Sequence, residues 1–329
     1  MSGTIPPRAT PGALRGELKA FKAGTVPAGW TLTSGPATGV SGYLPNSLLP
    51  LSSGLGAGSN VRYATSGGVL YSLYVYSNIY VFERFNEAQG AWEALPVPSV
   101  GFTPAGPIGP LIALPSGKLL FASVINSALT AARIYNPATN TWGPAADMPA
   151  ACAGGGGLLL SNGTAYVCGS AASAYAYSES TNTWAAKAKN PLQTSNTAFH
   201  AYALAGSGTV LAVSGTSYYL YDEAADSWGV ANTTTAGISV SSTGPIFALD
   251  DSLYAVSTAS DDAVLTSYSI ATSTWSLTTE RAARARGQGS DAGRLSDDSV
   301  VWFSSDNPRR TIRRSTTAIP AAIVWATKD

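Results

Sequence analysis

An all-β fold in which one four-stranded sheet is repeated around a ring is what this sequence predicts, on three observations. Tryptophans recur at 92, 142, 184, 228 and 275, in steps of 50, 42, 44 and 47 residues. Each has an aromatic residue seven positions before it: Phe85, Tyr135, Tyr177, Tyr221 and Tyr268. The composition, with 34 Gly, 20 Pro and many Ser, Thr and Ala, is turn and strand material more than helix material.

The five closing segments read FNEAQGAW, YNPATNTW, YSESTNTW, YDEAADSW and YSIATSTW. In each, the aromatic ends one strand, a polar stretch makes the turn, and tryptophan opens the returning strand. Two further short alternating runs lie upstream of each aromatic. In the third unit they are GGGGLLL and TAYVCG about the turn SNG, followed by SAYAYS; in the fourth they are FHAYALAG, TVLAVSG and TSYYLYD. Each unit is therefore four short antiparallel strands. Such a sheet cannot bury both faces alone, and radial stacking of copies solves that, which gives a β-propeller.

A unit whose last hairpin reads aromatic-Asp/Asn-x-x-Thr-x-x-Trp resembles a kelch-type blade. YNPATNTWGPAADMP, at 135–149, is the nearest copy, and the resemblance spans about residues 60–315. The double glycine that kelch blades carry after the second strand is reduced here to Gly169 or Gly215. No functional subfamily follows from so degenerate a repeat.

After Trp275 the runs RARGQGSDAG, SVVWFSS and RRTIRRST supply three strands without a closing tryptophan. The expectation is six blades, with seven as the alternative count. Residues 1–23 are read as an N-terminal arm and 24–329 as the propeller. The last blade would be completed by VPAGWTLTSGP, where Trp30 precedes Pro36 much as Trp142 precedes Pro149. A competing closure uses IVWATKD, with Trp325 in the tryptophan role.

GELKAFKAGTVPAGWTLTSGP also resembles the opening of phage tail-collar and tail-fibre modules. The matching residues are Gly16, Glu17, Leu18, Phe21, Gly24, Pro27, Gly29, Trp30, Leu32 and Gly35. Thr33 stands where such modules often carry cysteine. The resemblance implies a virion subunit, made in a host cytoplasm and assembled with other tail proteins.

Composition narrows the chemistry. Charged residues are 12% of the 329, and the 19 basic side chains balance the 19 acidic ones. No net field draws the whole chain to nucleic acid or an acidic membrane. The single histidine, His200, cannot build an imidazole metal site, and Cys152 and Cys168 lack the spacing of a zinc or redox motif. The expectation is no metal and no cofactor. The first residues have no apolar core of a secretory signal, and no apolar run is long enough to span a membrane.

Two charged features stand out in the sequence. RRTIRR at 309–314 sits in a basic stretch, with nine basic and six acidic groups over 280–329 against two basic and nine acidic over 137–279. Without interleaved aromatics it reads as a solvated edge strand, or as a site for sialylated or phosphorylated sugars or a neighbouring acidic subunit, rather than for nucleic acid. Asp250–Asp251 and Asp261–Asp262 lack the pattern of a calcium loop and read as turn residues. Tyr71, Tyr74, Tyr76, Tyr80 and Tyr218–Tyr219 read mainly as strand core, with stacking on sugars as the functional alternative.

The partner site expected from this pattern lies on the loops joining second and third strands, around 77–78, 125–129, 171–173, 215–218, 259–262 and 306–309. Asn126, Tyr218, Asp261, Asp262, Asp306 and Arg309 would supply donors, acceptors and a stacking ring for a host-surface glycan or protein. The expected function is a non-enzymatic virion propeller. The alternatives are an intracellular kelch-type adaptor and a carbohydrate-active enzyme.

Overall fold

The computed structural model describes residues 18–22, 30–32, 61–99, 108–122, 131–150, 156–169, 173–192, 201–204, 209–235, 238–240, 246–249, 252–257, 264–281, 292–296, 300–304, 310–314 and 323–328. The chain divides into two compact units, Met1–Gly42 with Thr317–Asp329, and Tyr43–Thr316. In the smaller, β1 (Leu18–Lys22) and β2 (Trp30–Leu32) flank the C-terminal strand in one antiparallel sheet.

The larger unit is a β-propeller. Its first sheet runs β3 (Arg62–Ser66), β4 (Val69–Tyr76), β5 (Ile79–Asn86) and β6 (Ala91–Ala94). The second is β7 (Leu111–Ala113), β8 (Leu119–Ala122), β9 (Ala132–Asn136) and β10 (Thr141–Pro144). The third is β11 (Gly156–Leu159), β12 (Ala165–Gly169), β13 (Ser173–Ser178) and β14 (Thr183–Lys187). In the fourth, β15 (Ala201–Leu204), β16 (Val210–Ser214) and β17 (Ser217–Asp222) precede an outer strand in two pieces, β18 (Ser227–Trp228) and β19 (Asn232–Thr233). The fifth is β20 (Ile246–Leu249), β21 (Ser252–Ser257), β22 (Val264–Ser269) and β23 (Thr274–Arg281). A last sheet has three strands, β24 (Gly293–Arg294), β25 (Val300–Ser304) and β26 (Arg310–Arg314).

The four-stranded antiparallel blade is thus as the repeat predicts, but the blade count is five, not six or seven. The sheet expected to be the sixth blade lacks a fourth strand among the described residues. The strand proposed to complete it pairs elsewhere: Trp30 stands opposite Lys328 of β27 (Ile323–Lys328), and β1 occupies the other edge of β27. With both its edges taken, β27 does not supply the rival closure through Trp325 either. Part of the expected arm, Leu18–Lys22, is a strand.

The first strand of each blade is innermost. β3 packs on β7, β7 on β11, β11 on β15, and β15 on β20. The three-stranded sheet joins this series at both ends. Arg294 of β24 donates from its guanidinium to the Ala248 carbonyl of β20. Its backbone N–H donates to Thr65 Oγ1 of β3 at 2.7 Å, and that hydroxyl donates to the Arg294 carbonyl at 2.7 Å.

The core lies between neighbouring sheets rather than within any one. Tyr71, Leu73 and Phe82 of the first blade meet Leu111, Leu119, Phe121 and Tyr135 of the second. Ile112 and Leu120 of the second meet Val167 and Tyr177 of the third. Leu295, following β24, packs with Tyr63, Leu70, Tyr74 and Phe85 of the first blade. Each such side chain, buried on one sheet and covered by the next, stabilises by about 1.5–3 kcal/mol through lost apolar exposure.

The repeat has a local cause. In every blade the two aromatics of the closing hairpin are direct cross-strand partners, from Phe85 and Trp92 to Tyr268 and Trp275. Their ring centroids lie 5.1–5.3 Å apart in all five, a pairing that adds to simple burial. The residue two before each tryptophan has positive φ: Gly90, Asn140, Asn182, Asp226 and Ser273. The polar turn therefore supplies mostly the small or amide-bearing residues that tolerate a left-handed backbone.

Trp92, Trp142, Trp184 and Trp228 are half-buried, and only Trp275 is fully buried. All five sit on the outer strands of their sheets, which have a paired neighbour on one side only.

Candidate functional site

The tryptophans also carry a polar function. Trp142 Nε1 donates to the Pro96 carbonyl at 2.7 Å, Trp184 Nε1 to Ala146 at 2.7 Å, and Trp228 Nε1 to Ala188 at 3.1 Å. Each acceptor lies four residues beyond the tryptophan of the preceding blade. The left-handed turn residue grips the same peptide: Ala146 N–H donates to Asn182 Oδ1 at 2.8 Å, and Ala188 N–H to Asp226 Oδ1 at 2.9 Å. Pro96 has no N–H, and in that turn Asn140 Oδ1 accepts, among the described residues, from the Tyr135 hydroxyl at 2.7 Å. Tyr177 and Tyr221 make the same bond to Asn182 and Asp226.

Asp226 is the charged member of this series. Burial pushes its carboxyl up. Hydrogen bonds from the Tyr221 hydroxyl and the Ala188 N–H, with Lys187 nearby, outweigh this and hold it below the usual carboxylate range. A carboxyl depressed in the folded state stabilises fully above its unfolded pKa, and that stability is lost as pH falls through the folded value. Asp226→Asn keeps the acceptor oxygen, as Asn182 does. The variant should cost under about 1 kcal/mol at neutral pH, because the Asp226 side chain is 38% exposed to screening solvent. In acid unfolding curves its deficit should begin to shrink near the unfolded pKa of about 4 and vanish once pH has fallen through the lower folded value. A deficit that persists below the folded value would show that the charge of Asp226 is not its source.

A second clamp ties the turn between first and second strands of one sheet to a glutamate on the next. Ser116 Oγ and Lys118 Nζ donate to Glu179 Oε1 at 2.8 and 2.9 Å. Ser161 donates to Glu223 from its N–H at 3.1 Å and from its hydroxyl at 2.7 Å. Ser296 does the same to Glu87, at 2.8 and 2.7 Å. That last pair joins the three-stranded sheet to the first blade with the contact that joins the third to the fourth. Glu87, Glu179 and Glu223 each stand two residues after the hairpin aromatic, a regularity visible in the sequence that the aromatic pattern overshadowed.

Of the residues expected to meet a partner, Asn126, Asp261, Asp262, Asp306 and Arg309 lie outside the described residues, as do His200 and Cys152. Tyr218 is described, and it is 6% exposed. Its ring lies edge-on to Tyr268 and Trp275, at 5.4 and 5.9 Å, between the fourth and fifth blades. Burial pushes its hydroxyl pKa up. This is core and offers no stacking face. Tyr71, Tyr74 and Tyr80 are buried too, whereas Tyr76 and Ile79, flanking the left-handed Ser77–Asn78 turn, are 48% and 62% exposed. The turns at 77–78 and 215–218 are the two fully described members of the expected loop set.

Among the described residues, three clefts open at sheet boundaries. One of about 310 Å³ lies at the seam of the three-stranded sheet, lined by Arg84, Asn86, Glu87, Glu93 and Ser296. There Asn86 and Arg84 both donate to Glu93, at 2.6 and 2.7 Å, and hold its carboxyl below the usual range. A second of about 630 Å³ is lined by Ser161, Tyr221, Asp222, Glu223 and Ser227. Their clamp residues are already satisfied by one another. The third, of about 490 Å³, is lined by Ser99, Arg133, Trp142, Pro144 and Asp147, and it keeps a cation, an anion and an indole available.

Among the described residues, no three of His, Cys, Asp and Glu gather as metal ligands, and no helix is long and apolar enough to cross a membrane. Comparison with protein-family models and with curated proteins finds no match.

Proposed function

We propose that this chain is a kelch-like propeller that serves without catalysis in a bacteriophage virion, at a tail fibre or tail tip, in assembly or in attachment to the host surface. One observation carries the reading. The segment that resembles tail-collar and tail-fibre modules, Gly16–Gly35, belongs to a compact unit of its own with the C-terminal strand, apart from the propeller unit. A fibre subunit needs one part to join its neighbours and another to meet the cell, and two compact units suit that division. The polar residues that repeat from blade to blade are spent on clamping blades together, which favours a rigid platform over a reaction centre.

The test is physical association. Antibody raised against the purified chain should label density-gradient-purified phage particles at the tail. A chain that stays wholly in the soluble fraction of the lysate would refute the proposal.

A further inference from the structure

We infer that the cleft between the first and second blades binds an acidic sugar, a hexuronate unit of a surface polysaccharide. This rests on reading the propeller as a surface-binding module. Arg133 projects from β9 and is fixed by two backbone carbonyls, Nε to Ser99 at 2.9 Å and Nη1 to Ala132 at 2.7 Å. Neutral carbonyls orient the guanidinium without cancelling its charge. Its Nη2 N–H groups stay uncommitted among the described residues, a fork shaped for a carboxylate.

Trp142 lines the same cleft, half-buried against Phe82 and Tyr135, with its Nε1 fixed on Pro96. A tryptophan so held presents an immobile apolar face, on which the C–H face of a pyranose can lie. Asp147 completes the set. It shares the cleft with Arg133 but forms no ion pair with it among the described residues. Its carboxylate is an acceptor for sugar hydroxyls. About 490 Å³ is within the range of small-ligand sites and holds one or two rings.

The cleft is not a by-product of the repeat. Where the second blade has Arg133, two residues before the aromatic, the others carry Glu83, Tyr175, Tyr219 and Thr266. Where it has Asp147, five residues after the tryptophan, they carry Val97, Lys189, Thr233 and Glu280. Cation, anion and indole come together in the second blade only. An acidic peptide, with several charges in a row, would meet Asp147 as a repulsive neighbour, whereas a hexuronate brings one carboxylate and several hydroxyls.

Titration of the full chain with glucuronate, followed by the tryptophan indole N–H signals in nitrogen–proton NMR spectra, tests this. The Trp142 signal should shift and saturate, and glucuronate should bind about tenfold more tightly than glucose. Arg133→Gln should bring glucuronate down to the level of glucose. Asp147→Asn, on the exposed wall, should weaken both sugars a few-fold with the thermal midpoint unchanged. Equal binding of the two sugars by the parent chain, an unmoved Trp142 signal, or an acid preference that survives Arg133→Gln would overturn the site. So would a di-glutamate peptide that displaces glucuronate. A chain that binds glucuronate at Trp142 yet is absent from particles refutes the virion role and leaves the site standing; a particle-bound chain indifferent to glucuronate does the reverse.

Discussion

Replacing Trp184 by alanine should lower the unfolding free energy by about 3 kcal/mol, the low end of the range for a large aromatic because the indole is half-buried. Two losses combine. The ring leaves the core shared by the second and third blades, where it packs on Tyr177 at 5.1 Å. The Ala146 carbonyl also loses its 2.7 Å donor, while Asn182 still holds the N–H of the same residue. Trp184→Phe should separate the two, retaining most of the packing and costing about 1 kcal/mol for the hydrogen bond. Trp275 is the internal control: it is 3% exposed, and its Nε1 has no hydrogen-bond partner among the described residues. Trp275→Phe deletes no bond and removes a buried, unsatisfied donor, so it should cost less than Trp184→Phe. Urea unfolding of the three variants beside the parent chain reads this directly. Equal costs for the two phenylalanine variants would mean that the clamp contributes nothing.

Gly157→Val should cost about 3 kcal/mol or more by overpacking. A Cβ at Gly157 of β11 would stand 2.7 Å from the Tyr166 carbonyl oxygen, 2.8 Å from Ile112 Cδ1 and 3.0 Å from Pro110 Cγ. Tyr166 lies on β12, the paired strand of the same blade, so its backbone cannot retreat without breaking the ladder. Ile112 and Pro110 belong to the second blade, so the glycine sets how closely two inner strands approach. Gly67→Ala is the contrast. No atom lies within 4 Å of a Cβ there, and only the left-handed backbone, with φ of +57°, opposes it. Its cost should be about 1 kcal/mol. A Gly157→Val chain as stable as the parent would show that the inner strands are not closely packed.

Much of this fold is legible in the sequence because one hairpin has a one-dimensional signature. An aromatic and a tryptophan seven apart, with a turn-forming residue two before the tryptophan, fix strand, turn and register locally. The clamp that joins blades was not legible, because its acceptors are backbone carbonyls of Pro96, Ala146 and Ala188, to which side-chain identity is indifferent. Closure misled for a related reason. Trp30 looks locally like Trp142, but the strand that pairs with it is a long-range choice, made by β27. Tyr218 and Tyr219 look alike in the sequence, yet neighbours on a strand face opposite sides, and Tyr218 falls on the buried one. The third cleft joins Ser99 of one blade's exit to Arg133, Trp142 and Asp147 of the next, a grouping that appears only once the blades are stacked.

The first blade and the three-stranded sheet meet, so that sheets far apart in sequence close one ring. The most direct test of this closure is a nuclear Overhauser measurement between the Arg294 amide proton and the Thr65 side chain, 229 residues apart. The 2.7 Å hydrogen bond from that amide to Thr65 Oγ1 predicts a strong cross-peak to Thr65 Hβ. With both residues assigned, no cross-peak, or an Arg294 amide in contact with another strand instead, would contradict the closed ring.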